Sequence, residues 1–430
     1  MAVLRLENLS GDPSLDWAGR ALSEIVVGGL SGDGQLRVIP SANIHALDRV
    51  LGVLPISAPG ISAESSQAMA AGATLLAYGD FTVRNGRLEA RLTIEDARTI
   101  KATKVISVSS PAGDVLGAGA ALARQISSRA VPYGTRKPQA LEAYVRALES
   151  GDVTVMEVGL AVAIAADADF VPPYRLLAQI KAQRQDRTGA VATLDQALAR
   201  GNAIAEPERA RLELESAELT GNPDARQNAL SKLVRLDSRD SGAWRALADS
   251  LMNRHQYPQA QQAYRKASEL EPEDILLLNS MGYAAGQAGD LDGAVIALRR
   301  YAALRPNEAN PLDSMGDVHL VAGRLADAEN FYLEAAKRDP NFQNNGPLSK
   351  AALARLLTGD PSGANNLAER YLAARLAAKD PIVEYRRAQW TWISGRRKAA
   401  AQQMGAFALA SEPGPLRDIA SRAYAELAIW

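Results

Sequence analysis

The chain of 430 residues contains no cysteine, three histidines and few aromatic side chains. The absence of cysteine excludes disulfide bonds, thiolate metal sites and cysteine nucleophiles, and it is compatible with any compartment. Aromatic residues make up 5% of the chain, which is typical of helices rich in alanine and leucine. No apolar run approaches the roughly 18 residues that a membrane-spanning helix needs.

Neither sign of charge dominates the composition, because 48 basic residues face 49 acidic ones. Nucleic-acid-binding proteins usually present a strongly basic face, so we expect no nucleic-acid partner. The chain runs from Met1 directly into a predicted strand without a signal peptide. This abrupt start leads us to expect a soluble part of a longer protein, with a complete cytosolic protein as the alternative. An extracytoplasmic part of a membrane protein is slightly favoured over a cytoplasmic location.

A search for catalytic chemistry gives no constellation. The histidines, His45, His255 and His319, lie far apart in the sequence, and no segment resembles a nucleophile elbow. The glycines at 32 and 34 are not followed by Lys-Ser or Lys-Thr, so they do not form a phosphate-binding loop. We therefore predict no catalytic residues, no metal site and no cofactor.

The strongest positive signal is a pattern that recurs every 34 residues, starting at Ser241, Ile275 and Ala309. In each copy a small residue stands at positions 8 and 20, and a proline stands at position 32. Counted in the order 4, 7, 8, 20, 24, 27 and 32, the residues are Trp244, Leu247, Ala248, Ala260, Tyr264, Ala267 and Pro272, then Leu278, Met281, Gly282, Ala294, Leu298, Tyr301 and Pro306, then Leu312, Met315, Gly316, Ala328, Tyr332, Ala335 and Pro340.

This pattern resembles the tetratricopeptide repeat, in which each copy is a pair of helices that cannot bury its apolar face alone. Small residues at positions 8 and 20 let the two helices approach, and the proline ends the second helix. The resemblance implies a solenoid of stacked helix pairs with a long concave surface that binds other proteins.

Weaker copies flank the three best repeats, 241–274, 275–308 and 309–342. Degenerate repeats start at Val171 and Pro207, with an insertion of two residues near Ala205 between them. Further helix pairs are predicted before Val171 and after Pro340. We expect a tetratricopeptide solenoid of about seven to eight helix pairs over residues 138–413, closed by a capping helix over 414–430.

Residues 1–130 show alternating strands and helices instead. The Asn85-Gly86 pair between two alternating runs is a strong hairpin signal. The segment predicts an α/β or α+β domain of about five strands with helices on one side. The expected strands are 2–6, 36–39, 74–83, 87–95 and 105–109, and the expected helices are 16–30, 42–51, 62–71 and 113–129.

The segments Val3–Pro13, Gly19–Glu24 and Leu75–Phe81 resemble the N-terminal domain of TolB and of the flagellar protein FlgO. In many bacteria this domain precedes tetratricopeptide repeats in membrane-anchored adenylate cyclases, winged-helix regulators and kinases. The sequence departs from that family at Arg5 and Leu6, where Pro-Phe is usual, and it lacks a glutamate before Gly79. The resemblance implies a sensor or partner-binding role and no catalytic residues.

In tetratricopeptide arrays, positions 2, 5, 9 and 12 of the first helix usually line the concave groove. In this sequence most of these slots hold polar residues, and three hold the apolar residues Met252, Leu276 and Leu320. Polar residues there suit an extended peptide, and a solvated helix face is the alternative. The candidate partner-binding residues are Arg175, Gln179, Arg245, Asp249, Asn279, Tyr283, Asn310, Asp313 and Asp317.

One ligand class is disfavoured by these slots. Arrays that grip a free C-terminal carboxylate pair Lys at position 5 with Asn at position 9, whereas here Asp249 at position 9 would repel a carboxylate. We predict a non-enzymatic module that binds a protein or peptide. The alternatives are a small-molecule-binding or enzymatic N-terminal domain, and a scaffold that only associates with itself.

Overall fold

The computed structural model of the chain describes residues 1–31, 36–44 and 64–430. The chain forms two compact units, Met1–Arg239 and Asp240–Trp430. His45, the glycines at 32 and 34, the expected loop at 52–61 and most of the expected helix 42–51 lie outside the described residues.

The first unit contains a mixed sheet. Its two short strands pair in parallel with β3, and the three long strands form an antiparallel meander. The strands are β1 (Ala2–Val3), β2 (Glu7–Asn8), β3 (Leu75–Arg84), β4 (Arg87–Asp96) and β5 (Lys101–Pro111). Asn85 and Gly86 both take positive φ angles, 51° and 75°, as a two-residue hairpin turn requires. The hairpin prediction is confirmed.

In the described part of residues 1–130, four helices accompany the sheet. They are α1 (Asp16–Leu30), α2 (Ser41–Ile44), α3 (Glu64–Ala70) and α4 (Val115–Ile126). Leu22 and Ile25 of α1 and Leu122 of α4 share a buried core with Phe81 and Leu92 of the sheet. This packing covers one face of β3 and β4.

Three details of the sheet differ from the prediction, and the first is that β2 (Glu7–Asn8) forms where no strand was expected. The expected strand at 36–39 is absent: Ile39 N–H donates to the Met1 carbonyl at 2.8 Å, and the Met1 amino group donates to the Arg37 carbonyl at 2.6 Å. Met1 is the partner in both bonds, so the segment makes a single contact with the sheet and not the repeated pairing of a strand. Helices were also expected on one side only, but Ile44 and Ala68 bury Leu4 and Leu76 in a separate cluster. Because neighbouring strand residues face opposite sides, α2 and α3 cover the second face.

The remainder of the chain is helical, as the fold class predicted. The first unit holds three helix pairs: α5 (Pro138–Glu149) with α6 (Val153–Ala166), α7 (Val171–Gln183) with α8 (Arg187–Leu198), and α9 (Glu206–Thr220) with α10 (Pro223–Leu236). The buried core around the sheet continues into the first of these pairs through Leu141, Tyr144 and Leu160.

The second unit holds five helix pairs and a final helix. The pairs are α11 (Ser241–Asn253) with α12 (Tyr257–Leu270), α13 (Ile275–Gln287) with α14 (Leu291–Leu304), α15 (Asn310–Val321) with α16 (Leu325–Arg338), α17 (Gly346–Leu357) with α18 (Pro361–Ala377), and α19 (Val383–Ile393) with α20 (Arg397–Ser411); α21 (Arg417–Ile429) follows. None of the helices in the described parts of the chain is long and apolar enough to cross a membrane.

The three central pairs keep the period read from the sequence. Their second helices begin at residues 257, 291 and 325, each 34 residues after the last. These helices end at 270, 304 and 338, two residues before the prolines that cannot continue them. A Cβ placed on Gly282 would lie 2.7 Å from Leu298 Cγ, so the small residue at position 8 packs directly on the large one at position 24.

The 34-residue period ends after α16, because the second helices α16, α18 and α20 begin at residues 325, 361 and 397, which are 36 residues apart. A 3₁₀ turn, Phe342–Asn345, separates α16 from α17. Its residues Gln343, Asn344 and Asn345 all have positive φ angles between 47° and 66°. As a result α17 begins at Gly346, 36 residues after α15 begins at Asn310. Lys350 therefore occupies the slot that Ser314 holds in the preceding pair.

Candidate partner-binding surface

The first-helix surface is defined here as the side of α11, α13, α15 and α17 that carries the predicted groove positions. An open cleft of about 520 Å³ lies on this surface. Its walls come from α11, α12 and α13 and comprise Asp249, Met252, Asn253, Tyr264, Ser280 and Tyr283. Three of these residues, Asp249, Met252 and Tyr283, stand at predicted groove positions, so the structure brings them together around one cavity.

Asp249 is the exposed acid of the cleft. Its Oδ1 accepts a hydrogen bond of 2.5 Å from the Tyr264 hydroxyl. Among the described residues of the second unit, no basic side chain forms an ion pair with it. Arg245, one turn earlier on the same helix, is paired with Asp274 instead. Asp249 thus presents a negative charge to the cleft.

Tyrosine-to-aspartate hydrogen bonds recur along the first-helix surface. Tyr332 donates to Asp317 Oδ1 at 2.8 Å, just as Tyr264 at the equivalent position donates to Asp249. In the middle pair Leu298 replaces that tyrosine, and Tyr283 donates instead to Asp317 Oδ2 at 2.7 Å. Burial, more than the neighbouring carboxylates, raises the pKa of Tyr264 and Tyr332. The hydroxyls therefore stay protonated and act as donors.

A lysine joins the aspartates of α15. Lys350 Nζ lies 2.7 Å from Asp313 Oδ2 and 2.9 Å from Asp317 Oδ1. Burial raises the pKa of Asp313, against the opposing effect of Lys350. Burial alone would lower the pKa of Lys350, but the bonds to two carboxylates raise it overall. One ammonium group is therefore shared by two acids.

Asp313 is 1% exposed, which corrects the expectation that it forms part of the accessible surface. Its Oδ1 has no hydrogen-bond partner among the described residues. The neighbouring side chains of α13 and α15 are linked as well, because Ser314 donates to Asn279 Oδ1 at 2.9 Å. Asp313 is therefore too buried to contact a partner directly.

The other predicted residues are placed differently. Asn310 donates to the Tyr301 hydroxyl at 3.1 Å and is half-buried. In the first unit, Arg175 of α7 forms an ion pair with Glu215 of α9, and Gln179 is exposed. Of the nine candidates, only Asp249 and Gln179 are exposed, and the other seven are partly or fully buried. The residue set as a binding site remains a prediction.

A second cleft, of about 310 Å³, lies in the first unit. It contains none of the candidate residues. Its walls are Ile204, Glu206, Arg209, Ala210, Glu213 and Lys232. Among the described residues, no group of three His, Asp or Glu side chains is placed to hold a metal ion.

The sequence reasoning missed Lys350, Ser280 and Ser314, which share one slot of the first helix. It also assigned no polar role to Tyr264 and Tyr332, whose hydroxyls donate to Asp249 and Asp317. A signal was available for the tyrosines, since Tyr at position 24 accompanies Asp at position 9 in the first and third repeats. No comparable signal marked Lys350.

The first-helix surface also has an apolar feature. Leu276, at predicted groove position 2 of α13, is 66% exposed. Ile296, on the second helix of the same pair, is 69% exposed. The two side chains therefore offer a matched pair of exposed aliphatic residues on different helices of one repeat.

No protein-family model matches this chain, and no curated protein matches it. Solved structures similar to it include MamA residues 41-end from Desulfovibrio magneticus RS-1, with 16% identity and a TM-score of 0.34, covering 40% of this chain and 96% of that one. YrrB, described as a TPR protein with an unusual peptide-binding site, has 17% identity and a TM-score of 0.37, covering 42% and 93%. PilW, a type IV pilus biogenesis factor, has 17% identity and a TM-score of 0.36, covering 48% and 92%.

The helical region is a tetratricopeptide-type array. That statement rests on the 34-residue spacing of the helices and on the packing of position 8 against position 24. The similar structures share too little sequence and too low a TM-score to indicate what this chain binds.

Proposed function

We propose that this chain is a non-enzymatic scaffold that binds a peptide or protein segment on the first-helix surface of residues 240–430. The observation that carries the proposal is the cleft in which Asp249, Met252 and Tyr283 meet. An extended segment has unpaired backbone groups and alternating side chains, so it needs polar partners and pockets at regular intervals. The cleft supplies one pocket, and the adjacent side chains supply polar partners.

The hydrogen bonds among these side chains favour binding. Tyr283, Ser314 and Asp317 are fixed by one another before any partner arrives. A surface that is already ordered loses less conformational entropy on association. Exposed Leu276 adds an aliphatic side chain that a partner can bury.

The test uses one exposed aliphatic side chain on each helix of a repeat. A random dodecapeptide library would be selected on the full chain, and the affinity of the retained peptides would be measured for Leu276→Asn and Ile296→Asn. Both residues are more than half exposed, so both variants should fold, as their melting curves would show. We expect Leu276→Asn, which removes the aliphatic contact without adding a charge, to weaken binding about tenfold, or ~1.4 kcal/mol, and Ile296→Asn to leave it unchanged.

Two results would count against the proposal. One is that the library yields no saturable binder. The other is that both variants bind the selected peptides as tightly as the unmodified chain does, since the contact surface would then lie elsewhere.

We propose further that the chain is the sensor or partner-binding part of a bacterial signalling protein, with residues 1–130 as a TolB-like domain. The support is the resemblance of Val3–Pro13 and Leu75–Phe81 to that domain. An immunoblot of fractionated source cells tests this role. A band well above 45.7 kDa in the membrane fraction is expected, and a soluble band at that mass would contradict it.

A further inference from the structure

We infer that the segment bound on the first-helix surface carries a lysine or arginine side chain that docks beside Asp249. This inference rests on the proposed peptide-binding function and names the chemistry of the ligand. Three observations in the second unit support it: the charge of the surface, the composition of the cleft walls, and the position of Lys350.

The charge of the surface is negative after its internal ion pairs are taken into account. Arg245 is neutralised by Asp274, and Asp313 and Asp317 share the single charge of Lys350. Asp249 has only a tyrosine hydroxyl as partner. Two negative charges therefore remain along α11 to α17, although the chain as a whole has a net charge of −1.

The walls of the cleft suit a long basic side chain. Asp249, Tyr264 and Tyr283 line the same cavity. Tyr283 is only partly buried, and an aromatic ring attracts a cation as a carboxylate does. Met252, another wall residue, provides an apolar contact for the methylene stem of a lysine or arginine. A carboxylate placed in this cleft would be repelled by the negative charge of Asp249.

The position of Lys350 disfavours an acidic ligand. A free ammonium on this surface would attract a carboxylate, but Lys350 Nζ is bonded to both Asp313 and Asp317. Its side chain is 31% exposed, but its charge is already shared by the two carboxylates. Lys350 is not among the residues that line the cleft, so it does not offset the charge of Asp249 there.

The test measures whether binding depends on the charge of the ligand. The probes are four pools of random decapeptides with a fluorescein label, an amidated C-terminus and Lys, Arg, Gln or Glu fixed at the fifth residue. Fluorescence anisotropy of the full chain should give the Lys and Arg pools about fivefold tighter binding than the Gln pool. The Glu pool should bind most weakly.

The decisive variant is Asp249→Asn, which keeps an oxygen to accept from the Tyr264 hydroxyl and removes the charge. We expect the preference for Lys and Arg over Gln to fall to within about twofold. Asp292→Asn is the matched control, because Asp292 is an exposed acid of α14 that lies outside the cleft. It should leave the preference intact. In the unmodified chain, raising the salt concentration should reduce the same preference.

The outcomes separate this inference from the proposed function. Equal binding of the Lys, Gln and Glu pools, or a cation preference that survives Asp249→Asn, would overturn the inference while peptide binding stood. If no pool bound with a saturable isotherm, the proposed function itself would fail.

Discussion

At the scale of single residues, the tightest constraint is the contact between Gly316 and Tyr332. A Cβ on Gly316 would collide with the ring atoms Cε1 and Cδ1 of Tyr332. The ring cannot easily move, because Tyr332 is fully buried and its hydroxyl donates to Asp317. The glycine at position 8 therefore lets a large tyrosine reach the first-helix surface.

The prediction at this contact compares two glycines in helices. Gly316→Ala should destabilise the protein by about 1–3 kcal/mol through overpacking. Gly405→Ala, inside α20 with its nearest neighbour 3.9 Å away, should instead stabilise it by about 0.5–1 kcal/mol, because alanine favours a helix. Denaturant unfolding of both variants is the measurement. An unchanged Gly316→Ala curve would show that the repeat register is misplaced.

At the scale of elements, α15 and α17 are joined by a partly buried ion pair. Asp313 is 1% exposed, and Lys350 supplies its cationic partner. Lys350→Met should therefore leave a buried carboxylate uncompensated and cost on the order of 2–3 kcal/mol near pH 7. Lys337→Met, which changes an exposed lysine of α16, should cost less than about 0.5 kcal/mol.

The cost of Lys350→Met should depend on pH. Burial raises the pKa of Asp313 in the folded protein, so the stability from its protonated form is complete below about pH 4, the ordinary aspartate pKa. That stability is lost as the pH rises through the folded pKa. Lys350 stabilises only the ionised form of Asp313, so its removal costs stability only where Asp313 is ionised. The variant should therefore differ little from the unmodified chain near pH 3.5 and most near pH 7. A pH-independent difference would mean that Asp313 is not the group left unpaired.

The elements also show how far the sequence determines the site. Residues at positions 8, 20, 24 and 32 could be placed in advance, because steric fit and proline geometry permit few alternatives there. The slip before α17 could not, since its left-handed residues, Gln343 to Asn345, are not glycines. Without the slip, Lys350 falls on the wrong slot and the pairing with Asp313 is hidden. The segment at 36–39 was likewise misread, because an alternating run reveals no partner strand.

At the scale of the whole molecule, an almost neutral chain carries a locally acidic surface. The balance of 48 basic and 49 acidic residues conceals the two uncompensated charges near α11 to α17. The composition therefore disfavoured a nucleic-acid partner but did not indicate a cationic ligand. Only the ion pairs in the structure show which acids of the first-helix surface lack a basic partner. The solvated-face alternative fits the same exposed residues and differs from our account in predicting no ligand.

The most direct test of the central claim is amide hydrogen exchange of the full chain with and without a saturating peptide selected from the dodecapeptide library. We predict slower exchange on binding in α11, α13 and α15, three of the four helices that carry the first-helix surface. Exchange in α12, α14 and α16 should change little. Protection confined to those second helices, or to the sheet of the first unit, would contradict the claim that the first-helix surface is the binding site.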